Sequence, residues 1–309
     1  MKKVVALLKQ YFTLHFNLPY FIAIVLFTAA LVAVEYTLHF ERNYIDYEMD
    51  SSKRLLRYVL MYSIAFGGAY LLYLIQPKHR KILLDARLWL LIGLAAFLFS
   101  FRTWFQYFNE PLKAWAPAGY QTLTFKYIYN LQGLVLLFFP IAIYWFWADR
   151  KSQPLYGFKT QDVLLKPYLI LLLLMVPLIV GAATQPDFLD TYPRVNKLDI
   201  PTDAPYKTAL SLLYELCYVT DFVTTEFFFR GFLILAFIRY AGPQAILPMC
   251  VFYVTIHFGK PLGETISSFF GGWILGILAY ETRSIYGGII VHVGIALLME
   301  IVAILAGTL

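Results

Sequence analysis

Five stretches of this chain contain no Asp, Glu, Lys or Arg: 11–34, 58–77, 88–101, 127–148 and 167–186. About 20 apolar residues cross a bilayer as a helix. Four of the stretches meet that length, and 88–101 needs its flanks. Hydrophobic residues make up 60% of the 309 positions and charged residues 14%, against about 45–50% and about 25% in soluble domains. A water-soluble fold of this composition would expose too much apolar surface. The composition excludes a soluble enzyme, a disordered chain and a disulfide scaffold. It predicts an all-α, polytopic transmembrane helical bundle of about 8–10 membrane helices.

Cys217 and Cys250 lie in apolar stretches and read as ordinary buried thiols. The basic start, MKKVVALLKQ, leads into an apolar run too long for a signal peptide and followed by further spans, so an uncleaved first span is expected. The net charge of +6 comes from loop Lys and Arg. It lacks the clustered basic face that nucleic acid requires, so the expected surroundings are the lipid bilayer, with no nucleic-acid partner. Loops 78–87 and 149–166 are short and basic, which places the N-terminus in the cytoplasm.

The loop 185–207, rich in Pro and Asp, divides the chain. Before it the spans are nearly free of charge. After it, helices expected over 208–240, 243–258, 264–281 and 285–306 hold Glu215, Asp221, Glu226, Arg230, His257, Lys260, Glu264, His292 and Glu300. An ionisable group at bilayer depth costs at least about 2.5–3.5 kcal/mol and generally faces a cavity or a partner. Residues 1–160 therefore read as a transmembrane scaffold and 161–309 as the core that holds the site.

Glu226 and Arg230 are four apart on one helix face. Taken alone they are a self-neutralising pair. Glu215 lies on almost the same stripe, and Asp221 is rotated away from it. His257 and His292 are the two histidines inside C-terminal apolar spans. Counted from the nearest same-side helix ends, Glu226, His257 and His292 lie roughly 14–21 Å deep, so three helices can bring them to one cavity. Ser268, Gly272 and Gly276 form a small-residue stripe suited to close packing. Ser284, Gly288, His292, Ala296 and Glu300 share one face of the last helix. Glu264 follows the break at Lys260-Pro261 as a helix-dipole partner or as a hydrogen-bond partner of His257.

A carboxylate and two imidazoles in such a cavity suit water activation. Glu226 would take the proton from water, His257 would share the water or protonate the leaving amine, and His292 would stabilise the oxyanion. Arg230 would hold Glu226 ionised. The same donors suit a divalent metal such as zinc. No HExxH, no GxSxG and no second intramembrane Asp accompany them. The unequal halves give no inverted repeat of the kind transporters are built on.

Glu226-Phe-Phe-Phe-Arg230-Gly231, then Tyr253-Val-Thr-Ile-His257, then His292 in a Gly-rich last helix resemble the three motifs of the CAAX protease and bacteriocin-processing (CPBP, or Abi) family, over roughly residues 163–309. The resemblance implies an all-helical intramembrane endopeptidase, a membrane-associated peptide or protein substrate, and residence in the cytoplasmic membrane of a bacterium. It implies catalytic roles for Glu226, His257 and His292, with Arg230 and Glu264 supporting. Two positions depart from the family pattern. Thr225 stands where the first of two adjacent glutamates is usual, and Ala296 where Asn or Asp follows the last histidine by four. The alternative they leave open is a non-catalytic relative that binds a peptide or partner in the same cavity.

Overall fold

A computed structural model describes residues 2–106, 114–159, 165–201 and 204–307. They are helical, with no strand among them. Among the described residues seven helices are long and apolar enough to cross a membrane: α2 (Leu18–Leu38), α3 (Ser51–Leu74), α4 (Ala86–Phe105), α5 (Gln121–Ala148), α6 (Leu165–Ala182), and two C-terminal helices, Leu262–Thr282 and Tyr286–Gly307. The chain is a multi-pass integral membrane protein. A short basic helix, α1 (Lys2–Leu14), precedes them. Stretch 11–34, read as one span, is broken: the chain turns at 15–17, Asn17 accepts the backbone N–H of Tyr20, and Pro19 sits in the first turn of α2. Stretch 88–101 gains its missing length at both ends, from Ala86, capped by Asp85, to Phe105.

Between α6 and the final pair lies the least regular part. α7 (Lys207–Glu226) continues without a break into a π-helix, Phe227–Ala236. A short helix, α8 (Ile246–Thr255), follows, then α9 (Leu262–Thr282) and α10 (Tyr286–Gly307). All ten residues of the π-helix and all ten of α8 are buried, so these two segments form the centre of the bundle; the candidate membrane spans among the described residues number seven, against the 8–10 membrane helices expected. Helices that are apolar all round belong in the interior.

One core cluster runs through both halves. Phe66 and Tyr70 of α3 meet Phe237, Phe99 of α4 meets Phe228 and Phe229, and Phe252 of α8 touches Tyr62, Phe66, Phe99, Phe228 and Phe229. A polar tie joins the halves as well. Arg102 of α4 pairs with Asp221 of α7, which explains the charge that sequence had rotated away from the site. Asp149, fully buried after α5, pairs with Arg239 and accepts the hydroxyl of Tyr156 at 2.5 Å. The division expected at residues 160 and 161 lies outside the described residues. Cys217 and Cys250 are buried free thiols.

Candidate active site

Glu226 is the last α-helical residue of α7, and Arg230 lies one turn on in the π-helix. Both are sealed from solvent, and the Arg230 guanidinium is 3.0 Å from Glu226 Oε1. The same oxygen is 2.8 Å from His292 Nδ1. A carboxylate only accepts, so Nδ1 carries the proton and donates it. Gly288, one turn before His292 on α10, makes this contact possible: a Cβ there would overlap Glu226 Oε2. That oxygen is buried with no hydrogen-bond partner among the described residues.

His292 Nε2 faces the other way, 3.3 Å from the hydroxyl of Tyr253. With Nδ1 protonated, a neutral His292 presents a lone pair there. The ring also meets Phe222 edge-on, with centroids 4.7 Å apart. Tyr253, on α8, is the hinge of the site. Arg230 lies 4.0 Å over its ring, and the ring of His257 meets it at 4.7 Å. His257 Nδ1 is 2.8 Å from the backbone oxygen of Tyr253. A carbonyl accepts, so this nitrogen too carries the proton, and Nε2 of the neutral ring is the acceptor. Five residues, Glu226 at the end of α7, Arg230 in the π-helix, Tyr253 on α8, His257 just past its end and His292 on α10, thus form one connected set.

The turn that carries His257 is held from the N-terminal half. Thr265 of α9 donates to the His257 carbonyl at 2.7 Å. The hydroxyl of Tyr36, on α2, is 2.7 Å from Thr265 Oγ1 and 2.5 Å from the Lys260 carbonyl. Nothing in the sequence pointed to Tyr36, because 221 positions separate it from His257 (257 − 36). Tyr253 stood inside a motif, but its hydroxyl carried no signal there.

The remaining ionisable groups are placed elsewhere. Glu264 pairs with Lys260 at 2.5 Å, and the tautomer of His257 is set by Tyr253. Glu300 accepts the backbone amides of Arg194 and Val195 at 3.0 and 3.4 Å. Glu215 lies in the same region, three turns from Glu226, its Oε2 without a partner among the described residues. Ala296 is packed in an apolar cluster with Tyr214 and Tyr218. So the stripe on α10 divides: Gly288 and His292 face Glu226, whereas Ala296 and Glu300 face the start of α7 and the segment 192–198. Gly272 and Gly276 serve the close packing of α9 on α8. Among the described residues no three His, Cys, Asp or Glu side chains are grouped to hold a metal ion.

The arrangement can perform proton transfer. A buried carboxylate orients one imidazole and stabilises its cation, a guanidinium keeps the carboxylate in place, and a phenol bridges to a second imidazole. Residues 208–298 match a family model described as Type II CAAX prenyl endopeptidase Rce1-like. No curated protein and no solved structure matches the chain.

Proposed function

From residues 208–298 being a CAAX-protease-family domain within a helical membrane protein, we propose that the chain is an intramembrane endopeptidase that cuts a membrane-associated peptide or protein. The observation that carries this is the bond from His292 Nδ1 to Glu226 Oε1, in a site closed by Arg230 and Tyr253. Catalytic roles fall to His292, His257 and Tyr253, with Glu226 and Arg230 as positioning residues.

His292 Nε2 removes a proton from water as the water oxygen adds to the scissile carbonyl carbon. Glu226 stabilises the resulting imidazolium, which is the differential contact a base needs to gain. The Tyr253 O–H donates to the oxyanion. The proton then passes to the leaving amine, from His292 or by way of His257, as the C–N bond breaks. These roles differ from the sequence expectation, in which Glu226 itself took the proton. Its Oε1 accepts from His292 Nδ1 and is ion-paired with Arg230, and the whole carboxylate, Oε2 included, is buried out of reach of water. Loss of a general base typically removes about 10²–10⁴-fold in rate.

A membrane-anchored reporter incubated with the protein in the same bilayer tests this by mass spectrometry. Wild type yields two fragments. His292→Ala, His257→Ala and Glu226→Gln each abolish them while thermal unfolding stays cooperative. Fragments that persist in all three variants sink the proposal. A second reading, a non-catalytic member that binds a peptide in this cavity, is favoured by Ala296, whose buried apolar setting offers the site no polar group. It predicts an intact reporter that co-purifies with wild type and is released by the same substitutions.

The proposed orientation has the N-terminus inside, on the strength of the basic loops 78–87 and 149–166, and the family resemblance is the ground for proposing the cytoplasmic membrane of a bacterium.

A further inference from the structure

The segment 149–159, which leaves the end of α5, does not stay on the surface. Connections generally do, because a buried one leaves backbone polar groups without partners. Here Tyr156 is fully buried, and the polar groups along the segment are met one by one. The Tyr156 hydroxyl donates to Asp149, which pairs with Arg239. The Gln153 oxygen accepts the Trp145 indole N–H at 2.9 Å, and the Gln153 amide donates to the Leu235 oxygen at 3.3 Å. The Gly157 oxygen accepts the Ile285 N–H at 3.0 Å, and the Lys159 oxygen accepts the Ser284 hydroxyl at 2.9 Å.

These contacts reach the two elements that carry the catalytic pair. On one side is the π-helix. The Tyr156 ring meets Phe227 and Phe232, with centroids 6.4 and 5.6 Å apart, and its backbone oxygen lies against Gly231, where a Cβ would sit 2.5 Å from it. Phe227 follows Glu226 in the chain, and Gly231 follows Arg230. On the other side, Ser284 and Ile285 lead directly into α10, and the Phe158 ring meets Tyr286 at 6.0 Å. A Cβ at Gly157 would sit 2.8 Å from Ile285 Cγ2 and 3.1 Å from Ile285 N, and φ there is +87°. Tyr156 has φ +28°, a conformation costly to a residue with a Cβ, which persists only where the surroundings enforce it.

Adjacent residues thus touch the two elements, Tyr156 the π-helix and Gly157 the lead into α10. Consecutive Cα atoms are about 3.8 Å apart, so one peptide unit spans the gap at this level. Ile285 lies seven residues before His292, about 10 Å along the helix. The bond from His292 Nδ1 to Glu226 Oε1 depends on the same gap. At 2.8 Å it tolerates a change of only about 0.5 Å before it is lost.

We propose that segment 155–159 is the spacer that holds the Glu226 and His292 helices at bonding distance, with Tyr156, Gly157 and Ser284 as positioning residues of the site. What this means for rate rests on the catalytic reading of the pair; what it means for the pair's geometry does not. A thicker or looser spacer moves the start of α10 relative to Phe227 and Gly231. The lone pair of His292 Nε2 then swings away from the water it is to activate. Binding of a substrate held elsewhere along the helices is unaffected, so the loss falls on the chemical step.

The experiment combines two readouts on the full chain in bilayers. One is the kinetics of reporter cleavage. The other is the ¹⁵N solid-state NMR signal of the His292 Nδ1–H, assigned by its loss in His292→Gln. Gly157→Ala is expected to lower kcat by about 10²-fold, the scale of a 1 Å misplacement remote from the chemistry, with KM nearly unchanged and the His292 signal shifted. Ser284→Ala acts in the same direction with a smaller loss, and Ser284→Thr, which keeps the hydroxyl, restores both readouts. Thr282→Ala is the control: its hydroxyl donates to the Leu278 oxygen within α9 and lies in the same turn, so both readouts stay as in wild type. If Gly157→Ala does not fold, the Ser284 pair decides. A His292 signal unmoved in Gly157→Ala and Ser284→Ala overturns the proposal, as does an equal shift in Thr282→Ala. If no protein cleaves any reporter, wild type included, the hydrolytic reading falls, and the NMR signal still decides the spacer.

Discussion

Tyr253 and Tyr36 illustrate how single hydroxyls can be placed by the whole fold. Tyr253 touches His292 through its hydroxyl and His257 through its backbone oxygen and its ring. Tyr36 reaches the His257 turn through Thr265 and the Lys260 carbonyl. Tyr36→Phe keeps the ring and removes the hydroxyl bonds. On the proteolytic reading it is expected to lower kcat by roughly tenfold, the equivalent of about 1.4 kcal/mol, with KM nearly unchanged. An equal fall of kcat in a variant whose unfolding midpoint has also collapsed would assign Tyr36 to stability alone. A second residue-scale effect concerns Glu41, in the turn between α2 and α3. Burial, followed by the nearby Asp46 and Glu35, pushes its carboxyl up to about 9. A folded value above the unfolded value of 4.5 means the native state binds more protons between the two. Stability should therefore fall as pH rises from about 5 to about 9. Glu41→Gln should flatten that slope in thermal unfolding, and a slope unchanged by the substitution would refute the assignment.

At the scale of elements, the π-helix and the segment 192–198 matter most. The π-helix Phe227–Ala236 runs through the centre of the bundle directly after Glu226. Its wider turn is uncommon and recurs at functional sites. Gly231 lets the backbone of Tyr156 pass against it, since a Cβ there would overlap the Tyr156 oxygen. The segment 192–198 lies on α7 and α10: Arg194 stands over the rings of Tyr192 and Tyr218, and Glu300 holds the amides of Arg194 and Val195. Glu300→Ala should speed hydrogen exchange at those two amides by about tenfold for each 1.4 kcal/mol of closure lost. The rest of α10 should be unaffected. Unaltered exchange at residues 194 and 195 would show that packing of Leu198 and Val195, and not the carboxylate, holds the segment.

At the scale of the whole molecule, the ion pair Arg102–Asp221 and the aromatic core centred on Phe252 make one body of the two halves. Removing one partner of a buried pair leaves an uncompensated charge and costs about 3–5 kcal/mol. Arg102→Leu should therefore destabilise the whole bundle strongly, and the double change Arg102→Leu with Asp221→Leu should recover much of the loss. A double variant as unstable as the sum of the two singles would mean the pair is not coupled. The first half of the chain supplies Arg102 to α7 and Tyr36 to the His257 turn.

The charge-free stretches were enough to determine the class of fold, because a bilayer leaves a long apolar segment no option but a helix. The rarity of ionisable groups at depth was enough to mark Glu226, Arg230, His257 and His292, since each must have a reason to be there. Helix breaks that sit inside an apolar run, as at 15–17, were not legible, because hydropathy does not distinguish a turn at the membrane surface from a continued span. Nor could spacing along one helix say which way a stripe divides across its neighbours. Only the tertiary structure set Gly288 and His292 against Glu226, gave Glu264 to Lys260, and gave Glu300 to the segment 192–198. Such contacts depend on the packing of helices distant in sequence, and a periodicity of 3.6 residues carries no information about the partner.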